Sequence, residues 1–217
     1  MKLRKKALEK KMTPYFEKLG YHHFKDNLFP LYAKKIREGW FLSLGLTIHR
    51  FYDDQFTVDL FLARYVAMNY LSFDIPKDSS KRIGELLSEK ERLDYFGDSI
   101  IDHWWSLYND SPEESIVELV KLVEPRLSND KDLMDRIMKS REAQQTYDDV
   151  QEVTRAFVSG CYSHNPDYCP FNPKNDIPID WFWAAETIMR NQGRHPSWVQ
   201  KVAEQAYRQF VLETSNK

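Results

Sequence analysis

The chain has 217 residues, of which 42% are hydrophobic and 29% charged, with 31 Lys and Arg against 33 Asp and Glu. That mixture supports a substantial core and argues against disorder, while a net charge of −2 lacks the positive field that gathers nucleic acid. No apolar run approaches the roughly 20 residues needed to cross a bilayer, and the Lys-rich start lacks the apolar stretch of a secretory signal, so a cytoplasmic, non-membrane protein is expected.

In chain order, Leu8, Met12, Phe16 and Leu19 repeat at helical spacing and Gly20 supplies a stop. The predicted helix begins at Thr13 or kinks there, because Pro14 suits a first turn better than a helix interior. Leu28 to Ile36 reads as a strand with an irregular or edge start at Pro30, and Arg37-Glu38-Gly39 as a turn. From Gly39 to Tyr65 apolar residues fall on alternate positions in two stretches separated by Tyr52-Asp53-Asp54-Gln55, the pattern of a β-hairpin. Trp40, Leu42, Leu44, Leu46 and Ile48 share one face with Phe56, Val58, Leu60 and Leu62. Met68 to Phe73 is a candidate fourth strand.

After Pro76 the period becomes helical. Ser88 with Glu91, and Ser111 with Pro112 and Glu114, fit capping boxes. Ile116, Leu119, Val120, Val123 and Leu127 make one stripe. A further helix is predicted from about Lys131 to Gly160, with a break near Gln144 to Asp148. Cys161 to Asp180 holds four prolines and reads as a loop, followed by a terminal helical pair over 181–191 and 197–214. The fold expected is α+β: an antiparallel three- or four-stranded meander covered by an N-terminal helix, then a mainly helical C-terminal region. Residues 1–127 would form the first domain and 128–217 a helical region docked on it.

The segment Pro14-Tyr15-Phe16-Glu17-Lys18-Leu19-Gly20-Tyr21, the strand pair with Trp40 and Gly45, the tripeptide Arg82-Ile83-Gly84 and the pair Trp104-Trp105 occur in an order that resembles a small bacterial family of unknown function. The resemblance covers roughly residues 8–130. It implies a helix-plus-antiparallel-sheet domain and carries no active site.

Cys161, His164 and Cys169 have side chains suited to a soft divalent ion, but three ligands fall one short of a structural site. Single cysteines flanked by tyrosines usually pack. Cys161 and Cys169 are too few for a disulfide framework and are expected as thiols, although one bridge between them fits the spacing. Asp94, Asp98 and Asp102 recur at intervals of four, but Asp98 is better explained as the N-cap of a helix holding Ile100, Ile101 and Trp104. His22-His23 and His49 read as surface and strand-end polarity, since no nucleophile or carboxylate stands beside them. No Gly-x-Ser-x-Gly elbow and no Gly-rich phosphate loop is present. The basic residues of the first eighteen positions read as a solvated helix face, and Trp104, Trp105, Trp181, Trp183 and Trp198 as core.

The second face of the hairpin, with Phe41, Ser43, Gly45, Thr47 and His49 opposite Thr57, Asp59, Phe61 and Ala63, mixes polar and aromatic residues and is expected to stay partly open. The leading reading is a binding protein without cofactor, its partner another protein, as in immunity proteins. It would use this face and the neighbouring tip, with Phe41, Asp53, Asp54, Asp59, Phe61, His103 and Trp104 as contact residues. The alternative is a small-ligand protein or hydrolase with a pocket between sheet and C-terminal helices, lined by His103, Trp104, Tyr162, His164 and Trp181.

Overall fold

Leu8, Met12 and Phe16 give the first helix a narrow apolar stripe, and all three are fully buried in a helix that runs from Lys5 to Lys18 (α1). The helix passes through Pro14 instead of starting at Thr13; Pro14 forfeits one backbone donor, and buried residues on both sides of it hold the helix together. The computed structural model describes residues 5–26, 29–51, 54–67, 79–108, 111–167, 170 and 177–215. The strand candidate Met68 to Phe73 lies outside the described residues, as does Leu28 at the start of the predicted first strand.

The hairpin is as the alternation predicts. β1 (His22–Phe24), β2 (Leu31–Arg37), β3 (Trp40–Ile48) and β4 (Gln55–Ala63) form an antiparallel meander, with Leu44 opposite Leu60 and Ser43 opposite Phe61. Two short strands that lack a strand-length pattern complete the sheet. β5 (Ser80–Arg82) and β6 (Trp105–Ser106) both pair with β4.

Between them lie a 3-10 turn (Ile83–Leu86) and α2 (Glu89–Phe96), whose Ser88–Glu91 capping box forms as expected. The second predicted box does not form. Ser111 has a positive φ of 42° and α3 (Glu113–Ser128) starts behind Pro112 without a side-chain cap, its first turn instead carrying Glu113, which pairs with Lys11 of α1. The next predicted break falls earlier than Gln144. Ser140 ends α4 (Lys131–Lys139) and caps α5 (Arg141–Ser159) by accepting from the Ala143 amide, because a serine hydroxyl satisfies amides that a continuous helix would bond internally. Gly160 closes α5 in the left-handed conformation. α6 (Ile179–Arg190) and α7 (Pro196–Thr214) follow.

Both faces of the sheet are covered. Leu42, Leu44, Leu46, Val58, Leu60 and Leu62 pack with α1, α3 and α4 in one cluster. On the opposite face Phe61 and Ala63 pack with α5, α6 and α7, and Phe41, Leu31 and Ala33 pack with Leu212 of α7. Arg64, just past β4, fastens this second layer by donating to Gln144 of α5 and lying over the Tyr147 ring. The expectation of a partly open second face is therefore overturned. Beneath this helical layer Thr47 donates to Asp59, while the buried Ser43 hydroxyl has no hydrogen-bond partner among the described residues. No described helix is long and apolar enough to cross a membrane.

Candidate functional site

Burial removes three of the expected contact residues from any surface. Phe41 is fully buried, and Phe61 and Asp59 nearly so. Burial raises the pKa of the Asp59 carboxyl, opposed by the Thr47 hydrogen bond and by Arg82. Asp53 lies outside the described residues. Asp54 stands at the hairpin tip, where its carboxylate accepts from the Ser106 hydroxyl and its carbonyl from the Leu107 amide, which ties β6 to the tip.

Trp104 and His103 remain partly accessible, but not as part of a helix. Gly97 ends α2, and Asp98 caps only the local turn by accepting from the Ile100 amide. Residues 98–104 run as irregular chain held from three sides. Arg92 donates to the Ser99, Gly84 and Leu87 carbonyls. Arg82 pairs with Asp102 and sits 5.0 Å from the Trp104 ring. Gly84 lies so close beneath the chain that a Cβ there would overlap the Ile101 carbonyl oxygen, which is why this position takes no side chain. The Phe96 and His103 rings stack at 4.2 Å, and Arg126 of α3 bonds the Leu86 carbonyl and Glu91.

This well-anchored arm displays apolar side chains. None of the α2 residues is buried, and Leu93, Ile100 and Ile101 are 50%, 57% and 48% exposed. The surface continues onto the hairpin tip, where the His49 ring meets Trp104 at 4.4 Å and Phe51, 78% exposed, lies beside His49. Acid surrounds it. Between residues 83 and 102 stand Glu85, Glu89, Glu91, Asp94, Asp98 and Asp102 against Lys90 and Arg92; Glu91, held by Arg126 and Ser88, has its pKa lowered to about 2.

Of the residues expected to line a pocket between sheet and C-terminal helices, three are engaged with neighbours. Trp181 is buried and stacks on Phe157 at 3.9 Å, Tyr162 donates to Asp180, and His164 meets Trp183. The cysteine pattern is described only in part. Cys161 is exposed, Cys169 lies outside the described residues, and among the described residues no cluster of His, Cys, Asp and Glu is placed to hold an ion.

The described residues also form a cavity. About 530 Å³ opens between α1, β1 and α7, lined by Lys6, Glu9, His22, His23, Phe24, Lys25, Ile177, Tyr207 and Arg208. Arg208 is 1% exposed and pairs through Nη2 with Asp26 at 3.1 Å and Glu204 at 3.7 Å, while its buried Nη1 has no hydrogen-bond partner. His23 Nε2 faces Glu9 at 3.5 Å, and Lys5 lies 3.6 Å from the same carboxylate. Partial burial and the adjacent His23 lower the His22 pKa, against the pull of Glu17. A second cavity of about 430 Å³ shares His22, but its Lys34 is taken by Glu124 and the Leu19 carbonyl.

Sequence reasoning set His22-His23 aside and passed over Arg208. The one available signal was the run Glu204, Gln205, Arg208 and Gln209, polar residues at helical spacing on a helix whose other face is also occupied. The chain matches no protein-family model, no curated protein and no solved structure.

Proposed function

We propose that this is a cytoplasmic protein that binds another protein through the arm of residues 83–104 and the adjoining hairpin tip. The observation that supports this reading is the pairing of rigidity with exposure. A segment held by three arginines and a glycine contact is pre-organised, so docking on it orders little chain. Leu93, Ile100, Ile101 and Phe51 fill no part of the core, and exposed apolar side chains of this kind mark interaction surfaces. The partner fitted to it has an apolar centre and a basic rim, complementary to the surrounding acids. Relative to the expectation from sequence, the binding surface moves from the sheet face to its edge and keeps Asp54, His103 and Trp104 at its margin.

The test is capture of partners on immobilised protein, with Ile100→Asp and Leu93→Asp beside the control Val158→Asp, an exposed apolar residue of α5. Buried-anchor losses of about 2 kcal/mol predict at least tenfold weaker capture for the arm variants, with the control unchanged and all three folded. Equal retention by both arm variants sinks the proposal, as does equal loss in the control. Light scattering on the free protein separates a foreign partner from a second copy of this chain.

A further inference from the structure

We infer that the cavity between α1, β1 and α7 binds a small ligand carrying an oxyanion, a carboxylate or a phosphate, on a compact apolar body. Arg208 carries the argument. A guanidinium has donors only, so whatever meets its buried, unpartnered Nη1 must offer an acceptor, and leaving such a group unmet inside a protein is costly. The neighbouring Asp26 and Glu204 hold the guanidinium by its other nitrogen and so fix the direction in which Nη1 points.

Lys6 on α1 and Lys25 after β1 add positive charge to the walls, which selects a charged acceptor over a neutral one. Glu9 is the single acid among the lining residues; its buried Oε1 makes no hydrogen bond, but the Lys5 ammonium at 3.6 Å offsets its charge and His23 Nε2 faces it at 3.5 Å. Phe24, Ile177 and the Tyr207 ring supply an apolar wall for the rest of the ligand. The volume falls in the range typical of small-molecule sites. The site uses none of the arm residues and stands or falls independently of the partner surface.

Calorimetric titration with phenyl phosphate and with benzoate, which share a ring and differ in head group, tests it. Saturable one-to-one binding with a dissociation constant between about 1 µM and 1 mM is expected for at least one probe. Binding of one probe alone identifies the head group, and binding of both identifies the shared oxyanion chemistry. Arg208→Lys keeps a cation for Asp26 and Glu204 but removes Nη1, and should weaken binding about tenfold or more. Where that variant folds poorly, Lys6→Gln with Lys25→Gln, both lining residues, should weaken binding several-fold while the variant still unfolds cooperatively. No saturable heat with either probe overturns the inference, as does binding that the folded variants retain in full.

Discussion

The second face of the sheet and the arm beside β4 are inversions of each other. The sheet face carries Ser43, Thr57 and Asp59 and is almost wholly buried, whereas the arm carries Leu93, Ile100 and Ile101 and is exposed. Composition alone would assign them the other way round. The difference lies in what comes later in the chain. Three helices between residues 141 and 214 lay an apolar layer on the sheet face, where Phe41, Phe61 and Ala63 supply the contact area, while nothing among the described residues returns to cover α2. Inside the sheet Thr47 and Asp59 satisfy each other, and the contact area of the apolar neighbours carries the unpartnered Ser43 hydroxyl. Apolar groups outside survive when the backbone beneath them is independently anchored.

The strongest way to break the comparison is Phe61→Ala. A residue on an open face would lose less than about 1 kcal/mol, but one packed against α5–α7 should lose about 3–5 kcal/mol. Urea unfolding beside Leu60→Ala, from the opposite face, should give losses of the same size; a small loss for Phe61 alone would restore the open face. Gly84→Ala comes next. A methyl group forced against the Ile101 carbonyl should cost about 1–3 kcal/mol and loosen residues 84–104 selectively. Hydrogen exchange should show faster exchange in α2 than in α5; uniform protection would mean that the close approach does not anchor the arm.

The smallest effect concerns the buried carboxyl. Because burial raises the Asp59 pKa, the folded chain holds that proton to higher pH than the unfolded chain does. Between the ordinary carboxylate value and the raised one the folded state binds more protons, so this group's contribution to stability falls as pH rises through that window and is constant above it. Asp59→Asn should remove this component of the slope. An unchanged pH profile of melting temperature would mean that Asp59 ionises as freely in the folded protein as in the unfolded one.

The β3–β4 hairpin was legible in the sequence because side-chain alternation is a local property of a strand with one wholly apolar face. The apolar stripes of α1 and α3 and the Gly160 stop were legible for the same reason, whereas the start of α1, the cap of α3 and the break at Ser140 fell elsewhere than the local pattern predicts. The failures share a different cause. β1, β5 and β6 are three, three and two residues long, too short for periodicity to register, and exist because β2 and β4 offer edges to pair with. Asp98 predicts a helix through Trp104, yet Arg92, Arg82 and Gly84 hold that chain in an irregular path through contacts that no local pattern encodes.

The candidate sites follow the same division. His22 and His23 gain meaning only when α7, nearly two hundred residues later, brings Arg208 beside them.

Local residue pattern is enough for the α+β class, the hairpin register that turns Leu44 and Leu60 inward, and the main helical stripes. These depend on neighbours within one turn or one strand pair. Which sheet face is covered, where apolar residues stay in solvent, and which polar residues meet at the α1–β1–α7 cavity were decided only by the tertiary structure. Burial and charge pairing are properties of the assembled layers, and the residues that create them lie far apart along the chain.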